Sequence, residues 1–255
     1  MLRTVFFDVT MFVVTSLLAP IAVAARLLLD EERRTKVQQW CMHSWARSAL
    51  WCAGASVVLH GEEHIEHGRG TIYSSNHVSW FDVFAIASVL PEYTFVAKAE
   101  LRRIPIFGWG AEGAGVVFLA RENRKSAFAA YQQVADSVRE GMSVVVCPEG
   151  TRGRDYHLRP FKKGPFVLAI AAEAPVVPVV VYGAREVMPK GAIRIRPGRI
   201  HVHLLPPVET AGYDYDHRHE LMARVWGSMA LLLRDTYGIG SDEQPYAPDV
   251  AEKSA

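Results

Sequence analysis

The sequence predicts an α/β protein, a layered and mostly parallel sheet flanked by helices, preceded by an N-terminal two-helix membrane-associated motif. Two observations predict this. From about residue 56, short apolar runs of strand length alternate with longer runs of helical period, the pattern of a parallel sheet built from crossover units. Before that point, Val9 to Ala25 contains no charged residue, and 50% of the 255 residues are hydrophobic, a high share for a soluble chain. Length allows one sizeable domain with a short appendage. The expected division is a helix pair over 1–54, a body over 55–238 and a disordered, polar tail over 239–255. With 28 basic and 27 acidic residues, no global field points to nucleic acid. Cys41, Cys52 and Cys147 form no paired framework, which fits a reducing, cytosol-facing location.

The first helix is expected over the uncharged run, which is bracketed by Arg3, Asp8 and Arg26. A spanning helix needs about 20 apolar residues, so the run is borderline, and Pro20 within it favours a kink. Asp30-Glu31-Glu32-Arg33-Arg34 reads as a polar elbow. Val37 to Ala53 then has a helical period and carries Trp40, Trp45 and Trp51, a residue type that favours the headgroup layer. The pair is expected to dip into one leaflet at the cytoplasmic face of the inner membrane. Two competing readings are a secretory signal, from the small-x-small Ala22-Val23-Ala24, and a buried core helix.

Strands are expected at Ser56–His60, Thr71–Ser74, Tyr93–Ala97, Gly115–Leu119, Ser143–Cys147, Val176–Tyr182 and Ile200–Leu205. Helices are expected at Lys125–Glu140, closed by Gly141, and at Gly164–Glu173, after which Pro175 restarts an extended segment. A last amphipathic helix, Asp216–Tyr237, lays Leu221, Val225, Met229 and Leu232 on one face.

Four islands follow the strands. In the first, Asn76-His77-Val78-Ser79-Trp80-Phe81-Asp82, a strand turns into a helix with Asp82 in its first turn, where a carboxylate suits the unpaired N–H groups. From there it can reach back to one ring nitrogen of His77 and leave the other free as a base. The bland alternative is a capping Asp and an incidental His. The second island holds Lys98, the third Arg121, and the fourth Cys147-Pro148-Glu149-Gly150-Thr151-Arg152 with its sequel to Gly164. Loops at the carboxyl ends of parallel strands share a crevice. If these meet there, Lys98, Arg121 and Arg152 surround a histidine base, a setting for a phosphate-bearing substrate.

On these residues the chain resembles the glycerolipid acyltransferases, above all those acting on lysophosphatidic acid. The His-x4-Asp block is His77 and Asp82. The Pro-Glu-Gly-Thr-Arg block is Pro148 to Arg152, with Phe161-Lys162-Lys163-Gly164 following. Lys98, Glu100, Leu101, Pro105 and Gly108 match a second block, and Val177-Pro178-Val179 the fourth. The match runs over about 55–210. It departs at Cys147, where an aromatic residue is usual, and at Ala120, where an acid is common. The resemblance implies an acyltransferase domain over 55–238 that moves an acyl group from a thioester of acyl carrier protein or coenzyme A to a lysophospholipid acceptor. It implies His77 and Asp82 as the catalytic pair, with Lys98, Arg121, Glu149, Gly150, Thr151, Arg152 and Lys162 holding substrate. Membrane lipids are then the other partner, and no cofactor, metal or nucleic acid is expected. Alternative acceptors are glycerol-3-phosphate and a lyso-aminolipid. Alternatives of other classes are a silent lipid-binding membrane protein and a metal-dependent hydrolase.

Weaker signals remain. His201-x-His203 and His217-x-His219 are fragments of possible metal sites without an accompanying acid or Cys cluster. His60, His64 and His67 flank a polar loop and are expected to be solvated. Arg194, Arg196 and Arg199 form a basic ribbon that suits either a solvated face or a docking surface for anions.

Overall fold

A computed structural model describes residues 1–119, 124–241 and 245–246, with the backbone alone for 124–130. Helix α1, Leu2–Leu28, runs through Pro20 without interruption. Helix α2, Glu31–Ala53, begins earlier than the sequence pattern predicts, because Asp30 caps it by accepting from the Arg33 N–H at 3.0 Å. The charged elbow is therefore mostly the first turn of α2, where Glu31 and Glu32 complement the helix dipole. Gly54, at φ 65°, ends α2 in the left-handed region and turns the chain directly into strand β1, Ala55–His60.

The remaining elements in chain order are β2 (Ile72–Ser75), α3 (Phe81–Val89), β3 (Thr94–Lys98), α4 (Phe107–Gly113), β4 (Val117–Leu119), α5 (Arg124–Arg139), β5 (Val144–Val146), α6 (Gly164–Ala172), β6 (Val176–Tyr182), α7 (Ala184–Val187), β7 (Gly198–Leu204) and α8 (Arg218–Tyr237). Among the described residues the strands form one seven-stranded sheet in the order β1-β7-β6-β2-β5-β3-β4. Every pairing is parallel except β6 with β7. The predicted strands are all present, with ends shifted by a residue or two.

The central strands are buried on both faces, which is why they read as unbroken valine runs. Their side chains alternate between two cores. Tyr73, Val145, Val177, Val179 and Val181 enter one core with residues of α1, α2 and α3. Ile72, Val144, Val146, Val176 and Val180 enter the other, which α5, α6 and α8 cover. Ile239 and Tyr246 lie against this second core. The rest of the expected tail, 242–244 and 247–255, lies outside the described residues.

The helix pair is bonded into the body. Glycines on α4 bring it backbone-close to α1, since a Cβ at Gly110 would fall 2.7 Å from the Ala19 Cβ. Gln38 and Gln39 donate to the carbonyls of Gly113 and Tyr93 at 2.6 and 2.7 Å. His43 Nε2 meets the Leu90 carbonyl at 2.7 Å, at the C-terminus of α3. The opposite side of α1 is apolar and bare, with Phe12 and Leu17 65% and 64% exposed. By length and hydropathy α1 is able to cross a membrane, yet its small residues Ala19, Ala22 and Ala25 are buried against protein.

Candidate active site

The site begins where β2 ends. Asn76 is buried and extends the sheet with its side chain, donating to the Val181 carbonyl at 3.0 Å and accepting the Val181 N–H at 2.7 Å. That pins the following turn to β6. Ser79 Oγ donates to the Met188 carbonyl at 2.7 Å and accepts the Phe81 N–H at 3.1 Å, which opens α3. Asp82, in the first turn of α3 and fully buried, folds back over the turn. Its Oδ2 accepts from Val78 N–H at 2.6 Å and Ser79 N–H at 2.8 Å, and lies 2.9 Å from His77 Nδ1. An anion beside Nδ1 keeps the proton there, so Nε2 presents a lone pair, and the imidazole side chain is 18% exposed.

A second loop fixes the backbone of the same histidine. Glu149 Oε1 accepts the His77 N–H at 2.9 Å, and Gly153 donates to the His77 carbonyl at 2.6 Å. Glu149 Oε2 is held by Arg159 Nε at 2.8 Å, and Arg159 also grips the Thr151 hydroxyl at 3.0 Å and the Thr151 carbonyl. Burial raises the Glu149 pKa above the ordinary carboxylate value, against the opposing pull of Arg159 and the His77 N–H. The sequence reading placed Glu149 on substrate. In the structure both of its oxygens are already taken inside the protein, and its geometric role is to position His77 and the 150–152 backbone. Gly150 takes φ 80°, the left-handed conformation that lets the loop turn back toward the histidine.

His77 lines a cavity of about 440 Å³ between the helix pair and the sheet. Its polar end is formed by His77, Lys98, Thr151, Arg152 and Lys190, with Gly150 in the wall. Arg152 sits 5.2 Å above the Trp80 ring, and Lys190 Nζ donates to the Arg152 carbonyl at 2.8 Å. The rest of its lining is largely apolar, with Leu18, Ala19 and Ala22 from α1, Met42 and Trp45 from α2, and Phe107 and Ala111 from α4. Trp45 Nε1 donates to Thr15 Oγ1 at 3.0 Å and its ring lies 4.7 Å from Phe84, so its polar atom is satisfied within the wall. A second, more polar cavity of about 520 Å³ adjoins through Lys98, Gly150 and Thr151, and takes in Lys162 and Arg159.

The structure therefore brings His77, Lys98, Gly150, Thr151, Arg152 and Lys162 around two connected hollows. Arg121 lies outside the described residues. Sequence reasoning missed Lys190, far along the chain in a loop without a motif, and the structural use of Arg159. It also missed the contribution of α1 and α2 to the cavity, since helical period identifies an apolar face but not what that face encloses.

A separate cluster lies at the sheet edge. His60 is exposed, as expected, and it also stacks on His203 with ring centroids 4.2 Å apart and planes 7° apart, and its Nε2 lies 3.0 Å from His201 Nδ1. Strand pairing causes this, because β1 and β7 place His60 directly beside His203. Burial and the neighbouring imidazoles push His203 down to about 4.

A mostly parallel α/β sheet with a histidine–carboxylate pair and several cations beside an apolar hollow defines a class by its geometry, one suited to activating a hydroxyl next to an apolar ligand. The chain belongs to the acyltransferase family, whose model matches residues 56–182. It is 32% identical to mouse 1-acyl-sn-glycerol-3-phosphate acyltransferase alpha, over 76% of this chain and 70% of that protein. It is 33% identical to a chloroplastic 1-acyl-sn-glycerol-3-phosphate acyltransferase of Brassica napus, over 65% of this chain and 48% of the relative. The chain thus spans about half the length of that plant relative, and 64% of the sheep alpha protein. The crystal structure of the 1-acyl-sn-glycerophosphate acyltransferase PlsC from Thermotoga maritima superposes with a TM-score of 0.80 at 27% identity, covering 94% of this chain and 97% of that one.

Proposed function

We propose that the chain transfers a fatty acyl group from an acyl thioester, carried by acyl carrier protein or coenzyme A, to the free hydroxyl of lysophosphatidic acid, making phosphatidic acid. The observation that carries this is the placement of the oriented His77 imidazole at the junction of an apolar hollow and a cationic rim. In this reading the acyl chain lies in the hollow and its thioester carbonyl reaches the mouth. His77 Nε2 takes the proton of the acceptor hydroxyl as that oxygen attacks the carbonyl carbon. The tetrahedral intermediate collapses with loss of the thiolate, which receives the same proton from His77. Asp82 holds the imidazole and offsets its transient positive charge. Arg152, Lys98 and Lys190 hold the acceptor phosphate, and Arg121, as read from the sequence, joins them. Glu149 sets the loop, and Lys162 in the polar hollow meets the donor's phosphate-bearing arm. The transfer step itself needs no metal or cofactor.

The membrane reading belongs to the same proposal. The bare apolar side of α1 lies in the cytoplasmic leaflet, with Trp40 and Trp51, 55% and 72% exposed, at its headgroup layer. Because the other side of α1 walls the cavity, a lipid chain passes from leaflet to site without crossing water. The test is thiol release from acyl-carrier-protein and coenzyme A thioesters with a panel of acceptors. Release that depends on lysophosphatidic acid is expected. Release indifferent to acceptor, or faster with glycerol-3-phosphate, refutes the assignment.

A further inference from the structure

His60, His201 and His203 offer ring nitrogens that all lie within 4.8 Å of one another, on the face of the sheet that α8 covers. We propose that this cluster binds a divalent transition-metal ion of the zinc type, at a site separate from His77. The three residues come from two strands at one edge. In the β1–β7 register His60 stands opposite His203, while His201 sits two positions back on the same face of β7. The placement is thus dictated by backbone pairing and not by side-chain flexibility.

The geometry suits imidazole ligation. A Zn–N bond of 2.0–2.1 Å sets nitrogen ligands about 3.3 Å apart in a tetrahedral site. The His60 Nε2 to His201 Nδ1 separation of 3.0 Å is close to that edge. The rings of His60 and His203 are stacked in the empty site, so the exposed His60 ring turns on ion binding to bring its in-plane lone pair onto the ion. His203 also has an outer partner of the kind metal-binding histidines have. Its Nε2 lies 2.6 Å from the Tyr237 hydroxyl, which fixes the ring and leaves Nδ1 as its remaining nitrogen. Tyr237 is in turn stacked on Tyr182 at 3.7 Å, so the support reaches into β6. Burial falls from inside to outside, with His203 buried, His201 half-buried and His60 exposed. An ion therefore has an entry path, and solvent can supply the fourth ligand. Neutral nitrogen donors without a carboxylate select zinc or copper over magnesium and calcium.

A bound ion would clamp β1, which follows α2 without a linker, to β7 and through Tyr237 to α8. It would tie the edge strand nearest the membrane helices to the far layer of the body.

The experiment is calorimetric titration of Zn²⁺ into the full chain in detergent, after removal of metal with a chelator, with Mg²⁺ as the control ion. Saturable binding of one zinc ion per chain is expected, with a rise in the unfolding temperature and no heat from Mg²⁺. H60Q and H201Q, both at accessible positions, are each expected to weaken zinc binding at least tenfold, while His77→Ala leaves it unchanged. The proposal is overturned if the wild-type chain shows no saturable zinc binding. It is equally overturned if H60Q and H201Q bind as wild type, or if binding is lost in His77→Ala.

Discussion

The turn from His77 to Asp82 and the helix pair before β1 border the same cavity, but they are built by opposite means. The turn is held by many short polar contacts: one carboxylate oxygen serves two backbone N–H groups and an imidazole, and Glu149 and Gly153 clamp the histidine backbone. Such a network fixes an atom to the tolerance that proton transfer demands. The helix pair is held mainly by small apolar residues in close contact, and only its outer side is bare. Those contacts shape a volume beside the helix whose outer side is bare and apolar. In the proposed reaction one region sets where a proton goes, and the other which acyl chain fits and from where it arrives.

The comparison breaks most sharply at the histidine. His77→Ala is expected to lower thiol release about 10²–10⁴-fold, the usual worth of a general base, with circular dichroism unchanged. Asp82→Asn should approach the same loss through a mis-set tautomer, with an added stability cost of about 1–3 kcal/mol for a disturbed buried acceptor. Near-wild-type turnover in either variant would remove the turn from the mechanism.

The apolar wall should respond in selectivity instead. Ala111→Leu adds bulk at the cavity wall on α4. Its expected effect is a fall of roughly 10-fold or more in kcat/KM for the longest accepted acyl thioester relative to a shorter one, in line with about 1–3 kcal/mol per methylene in an apolar pocket. An equal loss for all chain lengths would place the acyl chain elsewhere.

Glu149→Gln sharpens the positional half of the comparison. The amide oxygen still accepts the His77 N–H, while the ion pair with Arg159 is lost, so turnover should fall about tenfold with KM for acceptor nearly unchanged. The pH dependence has a defined sign. The folded chain holds the Glu149 proton at higher pH than the unfolded chain does, because burial raises that pKa. Stability therefore drops as pH rises from the ordinary carboxylate value through the raised one, and is level above it. E149Q lacks that drop, which unfolding curves collected between acid and neutral pH would reveal.

The smallest expected effect in micelles comes from Leu17→Glu on the bare side of α1. A charge at the centre of a membrane helix costs about 2.5–3.5 kcal/mol, so pelleting with vesicles should weaken markedly. Micellar turnover should stay within about twofold of wild type. Deleting residues 1–54 is not the matching experiment, since Ala46, Ala49 and Ala53 of α2 are wholly buried in the body's core.

The strands and most helices were legible because their signals are local. Valine runs bounded by Gly and Pro mark β5 and β6, and Gly141 marks the end of the expected helix that corresponds to α5. The start of α2 was misjudged because Asp30-Glu31-Glu32 suits an exposed elbow and a helix N-terminus equally. Only the Asp30 cap decides between them. The pairing of His77 with Asp82 was readable since five positions across a turn bring them together. That Glu149 holds the His77 backbone was not, because the two lie 72 residues apart and meet only through the β2–β5 pairing.

What the sequence by itself determined was the set of elements, the strand-to-helix turn carrying a histidine and an acid, and an N-terminal stretch too apolar for water on all sides. Each follows from interactions within a few residues: periodicity, capping and turn chemistry. The tertiary structure alone decided that α1 and α2 wall the cavity and that Lys190 joins Arg152. It alone decided that His60, still exposed, stands beside His203. Those outcomes depend on strand order and register, which are settled when the whole sheet buries both faces at once and not by any segment's own preferences.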